Sequence, residues 1–210
     1  MSGMNFAQMS QLLLEGTLDT LYMTLASTLI AYLIGIPLGV ILVVTRKDGI
    51  CPAPKTNAVL GTIVNIMRSV PFLILIIVLI PFTRFVVGTS IGATATVVPL
   101  IVGAAPFIAR MVESSLLEVD AGVVEAAQAM GASPWQIVTK VLLKEAVPSL
   151  ITGAAIALTT ILGYSAMAGA VGGGGLGDLA IKYGYHRYQT DVLFVTVALL
   201  IVLMQVIQIV

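Results

Sequence analysis

Few residues of this chain have types and spacings that could support chemistry, and two candidate motifs overlap one glycine-rich run. Residues 172–177 contain the spacing G-x-G-x-x-G, which in dinucleotide-binding proteins follows a β-strand and opens a helix. Here the run follows an apolar segment long enough to cross a membrane, so nucleotide binding is not favoured. The string G-x-x-x-x-G-K-[ST] is absent, and the chain therefore cannot hold ATP in a Walker A loop. The glycines instead predict close backbone approach between membrane helices.

The chain also lacks the sets of residues that acid catalysis, nucleophilic catalysis and metal binding require. Gly175-Leu176-Gly177-Asp178 matches the G-x-G-D string of intramembrane aspartyl proteases, but every other aspartate falls in a loop or at a span end. The shared-proton chemistry of such a pair needs two facing carboxylates. The single His186 and the single Cys51 provide neither a serine-protease arrangement nor a Cys/His metal site. We therefore predict no catalytic residue, no metal site and no cofactor bound by this chain.

The composition places most of the chain in a lipid bilayer. Hydrophobic residues make up 59% of the sequence and charged residues only 10%. Five apolar segments are long enough to cross about 30 Å of hydrocarbon. They predict an all-α polytopic membrane protein with five transmembrane helices and one transmembrane domain over residues 17–210, preceded by a short N-terminal segment, residues 1–16. The predicted spans are residues 17–44, 58–82, 91–112, 146–171 and 192–210.

The second of these segments is the least regular. Arg68 interrupts it, and a charge in the hydrocarbon core is costly. Either Arg68 lies at the membrane interface, with residues 57–67 as an interfacial helix, or it faces the interior of the bundle; we favour the interface. Pro71 and Pro81 predict kinks, and residues 83–90 read as a short turn before the third span.

The distribution of basic residues predicts the orientation of the chain. Basic residues collect on the cytoplasmic side of membrane proteins. Five spans with an outer N-terminus and a cytoplasmic C-terminus place seven basic residues inside and three outside. Because no basic anchor follows the last span, we expect a short cytoplasmic tail beyond Val210. The inner residues are Arg46, Lys47, Lys55, Arg68, Arg110, Lys140 and Lys144, and the outer ones are Arg84, Lys182 and Arg187.

The longest polar stretch between two predicted spans carries signals for two short helices. Asp120 can cap a first helix that runs through Met130, and Gly131 can take the left-handed conformation that ends it. Ser133, with Pro134 at the first helical position and Gln136 three residues after the serine, predicts a capping box. A second helix over residues 134–143 should follow.

These residues resemble the EAA loop of permease subunits in bacterial ABC importers. The match rests on Glu125, Ala126, Ala127 and Gly131, followed by an apolar run, although Lys144 replaces the expected proline. The resemblance implies that the loop between the third and fourth spans is a cytoplasmic coupling helix. It would dock on a separate ATPase subunit that binds ATP and Mg. The implied coupling residues are Asp120, Glu125, Ala126, Ala127, Gly131, Ser133 and Pro134.

Other stretches are similar to the methionine-import permeases of bacteria specifically. They are residues 64–72, 80–84, 102–113 and 163–167, and with the EAA loop they cover most of residues 17–210. The resemblance implies a permease subunit, not an enzyme, in the bacterial inner membrane. It further implies a second copy of the chain, two ATPase subunits and a methionine-binding lipoprotein as partners.

Polar side chains in the fourth span are candidates for the translocation path. Intramembrane hydroxyls either join helices or line a cavity, and both readings remain open here. For cavity lining we select Tyr164, Ser165 and Met167, because a polarizable thioether suits a methionine-like side chain.

An ATP-independent secondary transporter or a channel is the alternative function. Secondary carriers usually contain repeated halves, but residues 17–82 and 91–171 show no such correspondence. Tyr183-Gly184-Tyr185 is similar to fragments of potassium-filter loops, yet the re-entrant hairpin that carries a filter is missing.

Overall fold

The computed structural model describes residues 6–209, and within that range the chain forms helices and no strand. Expectations for residues 1–5 and for Val210 lie outside the described residues. Short helical segments of other types occur at Val138–Leu142 and Ala180–Tyr185, both π-helical, and at Gly169–Val171, which is a 3₁₀ turn. The α-helices are α1 (Phe6–Val44), α2 (Pro54–Ser69), α3 (Phe72–Val78), α4 (Ile80–Val87), α5 (Ala93–Leu117), α6 (Ala121–Ala129), α7 (Pro134–Ile137), α8 (Leu143–Glu145), α9 (Val147–Ala168), α10 (Gly175–Leu179) and α11 (Thr190–Ile209).

Four helical stretches within residues 6–209 are long and apolar enough to cross a membrane, and α2 with α3 provides a fifth when the two are taken as one broken span. The predicted all-α membrane fold is confirmed, and the predicted five crossings equal the upper count. The single domain over residues 17–210 stays a prediction. The four stretches are Ala7–Val44, Ala93–Leu117, Val147–Tyr185 and Thr190–Ile209.

The first helix begins earlier than predicted. It starts at Phe6, so much of the predicted N-terminal segment is continuous with the first span. Gly16 lies inside this helix, and a Cβ there would lie 2.5 Å from Leu179 Cδ1. The glycine therefore marks a close contact with α10 and not the start of the helix.

The second predicted span is divided among α2, α3 and α4, and α2 and α3 are bent by 100° at the break between them. The chain breaks before Phe72, where Pro71 precedes α3, and again at Leu79, before α4. Pro71 directly precedes α3 and Pro81 is the second residue of α4, and proline lacks the N–H that a continuous helix needs. Arg68 is exposed in the last turn of α2, which agrees with the interfacial alternative.

Two segments that lie outside the predicted spans are helical. Residues 83–87 belong to α4, which ends only at Gly88 with φ 85°, so the predicted turn is confined to the residues after it. Residues 178–185 continue from α10 into a π-helical turn. Asp178 is buried there and pairs with Lys182 at 2.7 Å, one turn later. The pairing lets charged residues enter a helix that lies outside the predicted spans. The third span also extends five residues further than predicted, to Leu117.

The chain divides into two compact units. The first consists of residues 6–30, 70–104 and 158–209, and the second of residues 31–69 and 105–157.

In the first unit, the glycine-rich run packs backbone against backbone. A Cβ on Gly177 would lie 2.1 Å from the Ala166 carbonyl oxygen, and one on Gly169 would lie 2.2 Å from Gly177 C. The Leu176 N–H donates to Thr20 Oγ1 at 2.9 Å, and Thr96 Oγ1 donates to the Gly173 carbonyl at 3.1 Å. The predicted close approach is therefore confirmed, with α1 and α5 both bonded to the run.

In the second unit, α5 packs closely on α1 and is hydrogen-bonded to α2. A Cβ on Gly39 would lie 2.7 Å from Val112 Cγ1, which explains why a small residue stands there. Arg110 donates from Nη1 to Glu113 Oε2 at 2.6 Å and from Nη2 to the Gly61 carbonyl at 2.9 Å. One guanidinium thus links α5 to the backbone of α2.

Candidate functional site

The connection between α5 and α7, residues 120–134, is the predicted coupling loop, and both of its helix starts are capped as the sequence indicated. Asp120 Oδ1 accepts from the Gly122 N–H at 2.7 Å at the start of α6. At the start of α7, the Gln136 N–H donates to Ser133 Oγ at 3.4 Å, and the Ser133 N–H donates to Gln136 Oε1 at 2.8 Å. This is a complete capping box with Pro134 in the first turn.

The turn between the two helices has a defined geometry. Gly131 has φ 78°, in the left-handed region that favours glycine. The Ala132 N–H donates to the Ala127 carbonyl at 3.1 Å, and the Gly131 N–H donates to the Gln128 carbonyl at 2.9 Å. These are the two bonds of a Schellman motif, which closes the C-terminus of α6. The loop is therefore a rigid turn of two helices.

The three residues of the Glu-Ala-Ala signature do not share one environment. Ala127 is the buried residue of α6, and α6 packs against Val138–Leu142. Glu125 and Ala126 are exposed. A small residue is therefore needed at 127 for packing within the second unit, whereas 125 and 126 are accessible to a partner.

Glu125 lines a cleft of about 330 Å³ inside the second unit. The backbone amides of the turn are already bonded to other acceptors: those of Gly131 and Ala132 to α6 carbonyls, and that of Ser133 to Gln136. Glu125 is therefore available to a basic group that enters the cleft. The other polar and backbone groups lining it include Gln128 from α6 and Arg46, Asp48 and Gly49 from the connection between α1 and α2.

Two large apolar side chains flank the turn. They were not among the predicted coupling residues. Met130 is 81% exposed and Trp135 is 74% exposed, on either side of Gly131. A tryptophan so exposed is unusual, because its ring carries a large apolar surface. Their signal in the sequence is an apolar residue at each end of a capped polar turn, whereas the prediction of the coupling loop rested on the caps.

The second predicted helix, residues 134–143, is helical throughout but not of one type. α7 has four residues, and the chain then widens into the π-helical turn Val138–Leu142 before α8. Val138 and Leu142 are buried at its two ends. π-helical turns occur frequently at functional sites, and this one connects the coupling loop to α9.

The three predicted path residues are not brought to one surface. Ser165 is buried and donates to the Leu162 carbonyl at 2.8 Å, so its hydroxyl is used within α9. Met167 is 50% exposed, and Tyr164 is half-buried one turn before it. The ring of Tyr164 stacks on Phe72 with centroids 4.6 Å apart and an interplanar angle of 4°. Spacing three apart puts Tyr164 and Met167 on one face of the helix.

Within residues 6–209, no cluster of three or more His, Cys, Asp or Glu residues could hold a metal ion.

Long apolar helices joined by a capped and exposed two-helix loop define a polytopic helical membrane protein with a water-facing module. The family described as binding-protein-dependent transport system inner membrane component matches residues 35–210. The chain belongs to this family. It is therefore an inner-membrane permease component, as predicted, and not an enzyme.

Two relatives of this chain are named as D-methionine transport permeases. A Vibrio cholerae protein named probable D-methionine transport system permease protein MetI is 56% identical over 203 residues, which are 97% of this chain and 90% of the relative. The Escherichia coli D-methionine transport system permease protein MetI is 55% identical over 161 residues, or 77% and 74% of the two chains.

Among solved structures, a chain of the MetNI methionine ABC transporter in inward facing conformations is 52% identical, with a TM-score of 0.96 over 98% of this chain and 95% of that one. An amino acid ABC transporter crystallised with histidines has a TM-score of 0.77, covers 99% of this chain and 95% of that one, and is 20% identical. The second likeness shows the shared fold alone.

Proposed function

We propose that the chain is the permease subunit of an ATP-driven methionine importer. The carrying observation is the 52% identity and TM-score of 0.96 to a chain of the MetNI methionine transporter. The partners are a second copy of this chain, two ATPase subunits that bind ATP and Mg, and a methionine-binding lipoprotein. The permease forms the translocation path and receives the work of ATP hydrolysis from the ATPase.

The coupling loop is the part that contacts the ATPase. Two capped helices joined by a Schellman turn move as one body, because their ends are held by hydrogen bonds within the loop. Met130 and Trp135 provide apolar contact area of the kind found at interface hot spots. Glu125 provides a carboxylate for a basic side chain of the ATPase. The π-helical turn Val138–Leu142 transmits displacement of the loop to α9.

The orientation places this loop in the cytoplasm, with the N-terminus outside and the C-terminus inside. The support is the seven-to-three distribution of basic residues over five crossings, with α2 and α3 counted as one span. The same orientation places residues 178–191, between the last two crossings, on the outer side.

The translocation path uses the α9 face that carries Tyr164 and Met167. Ser165 supports the path indirectly, because its hydroxyl bonds to the backbone of α9. The exposed thioether of Met167 and the ring of Tyr164 offer polarizable contacts to a methionine side chain.

Reconstitution of the chain with its ATPase and binding protein in lipid vesicles tests this function. Labelled methionine should accumulate only when ATP, the ATPase and the binding protein are all present. ATP-independent accumulation by the permease alone would instead support a secondary transporter or a channel.

Two substitutions in the coupling loop test the mechanism in the same vesicles. Gly131→Pro removes the left-handed turn, and Ala127→Trp inserts a large ring where α6 packs on Val138–Leu142. Both should abolish methionine uptake while the protein still reaches the membrane. Uptake at the normal rate in both variants would refute coupling through this loop.

A further inference from the structure

An aromatic pair in the first unit, Phe72 and Tyr164, joins α3 to α9. Phe72 is the first residue of α3, placed by the break at Pro71, and Tyr164 lies in the last third of α9. The rings are parallel, 4.6 Å apart between centroids. Among the described ring contacts of the chain, this is the stacked one.

Phe72 is held more firmly than Tyr164. Its side chain is buried, whereas Tyr164 is half-buried. A Cβ on Gly103 of α5 would lie 3.4 Å from Phe72 Cδ2, so the ring of Phe72 rests against the backbone of α5. The Ile74 and Leu75 N–H groups both donate to the Pro71 carbonyl at 2.9 Å, which fixes the start of α3. The firmly held ring therefore determines where the less buried ring lies.

The face of α9 beside Tyr164 is open within this unit. A Cβ on Gly163 would meet nothing within 4 Å, and Met167 is half exposed one turn beyond Tyr164. The ring of Tyr164 thus has Phe72 on one side and an uncovered surface beside it. A stacked tyrosine loses rotation about its side-chain bonds, and its phenol edge keeps a fixed position on that surface.

We infer that Phe72 is a positioning residue of the translocation path, acting on the transported side chain through the ring of Tyr164. The inference rests on the proposed function, in which Tyr164 lines the path. Phe72 itself is buried and need not touch methionine. Without the stack, the Tyr164 ring rotates into or away from the path, and ATP-driven cycles then proceed without moving substrate.

The test measures methionine transported per ATP hydrolysed, in vesicles holding the permease, the ATPase and the binding protein. A loss of assembled complex lowers both rates together and leaves this ratio unchanged. Phe72→Leu keeps an apolar side chain but removes the stacking ring, and it should lower the ratio by about five-fold, the order expected for one aromatic pair. Phe72→Tyr keeps the ring and should restore the ratio.

Leu75→Ala is the matched control. Leu75 packs against the same Gly103 from the next turn of α3, and the substitution leaves both stacked rings in place. It should reduce the amount of folded complex and leave the ratio unchanged.

A double substitution separates action through Tyr164 from independent action. Tyr164→Leu should lower the ratio, and adding Phe72→Leu should lower it no further, because the two residues act as one unit. An unchanged ratio in Phe72→Leu, or additive losses in the double variant, overturns the inference while the proposed function stands. If the unsubstituted complex moves no methionine, the proposed function is wrong and the inference falls with it.

Discussion

Gly131 and Gly163 are both glycines with free space where a side chain would lie, yet they should respond oppositely to alanine. Gly131 has φ 78°, whereas Gly163 lies within α9, and neither would place a Cβ within 4 Å of another residue. Gly131→Ala should destabilise the turn by about 1 kcal/mol through the left-handed backbone alone. Gly163→Ala should stabilise α9 by up to about 1 kcal/mol through helix propensity.

Amide hydrogen exchange of the detergent-solubilised chain measures both glycine effects. Exchange at the C-terminal end of α6 should become faster in Gly131→Ala, and exchange in α9 should be unchanged or slower in Gly163→Ala. Equal acceleration in both variants would contradict a conformational role for Gly131.

Arg110 and Arg46 form the two described arginine ion pairs, at different depths. The Arg110–Glu113 pair is at 2.6 Å and largely buried, and Arg110 also donates to the Gly61 carbonyl. Arg110→Met leaves the Glu113 carboxylate buried without its partner, so it should lower the free energy of unfolding by about 3 kcal/mol. Arg46 and Asp48 are 3.4 Å apart and exposed, so Arg46→Met should cost less than about 1 kcal/mol.

Thermal unfolding of the two arginine variants in the same detergent gives the comparison. A similar loss of stability in both would show that burial does not set the strength of these pairs.

Local signals in the sequence were sufficient to predict the helix caps, but they were not sufficient to predict the environments of the path residues. Asp120, Ser133 and Gly131 act on backbone groups within a few residues, so their roles followed from spacing. The environments of Tyr164, Ser165 and Met167 depend on the rotation of α9 against its neighbours. Nothing local in the sequence indicates that Phe72, 92 positions earlier, stacks on Tyr164.

At the scale of elements, the positions of the long apolar helices and the positions of the helix breaks have different physical causes. The long apolar segments followed from composition, and the broken second span followed only in part. Pro71 and Pro81 indicated kinks, but two full breaks also require packing that stabilises helices of seven and eight residues. Short helices are marginal alone and rely on such tertiary contacts. Residues 178–185 lie outside the predicted spans, although Asp178 and Lys182 stand four residues apart and pair across one helical turn.

The caps of the coupling loop can be tested as elements. Asp120→Ala removes the acceptor for the Gly122 N–H and should destabilise α6 by about 1 kcal/mol. Hydrogen exchange should increase in α6 and remain unchanged in α11. Asp120→Asn keeps a capping oxygen and should behave like the unsubstituted chain. Equal exchange in the alanine and asparagine variants would contradict a capping role.

At the scale of the whole molecule, the source of energy and the translocation path lie in different subunits. The chain has no Walker A string, and its family consists of inner-membrane components of transport systems that depend on binding proteins. Force generated elsewhere must therefore enter through a surface on the side where ATP is found. The coupling loop is a capped and exposed module suited to that contact, with Met130 and Trp135 at its turn.

Labelling of a single cysteine tests on which side of the membrane the coupling loop lies. Cys51 is exposed and is first replaced by serine, after which Met130→Cys is introduced and treated with a membrane-impermeant thiol reagent. Tyr185→Cys, at an exposed position between the last two predicted crossings, is the control for the opposite side.

We expect the cysteine at 130 to react in inside-out vesicles and to be protected there when the ATPase is bound. It should remain unlabelled in right-side-out vesicles. The control cysteine at 185 should react only in right-side-out vesicles. Labelling at 130 from the outer face would contradict the account, because no ATP-hydrolysing partner could reach the coupling loop there.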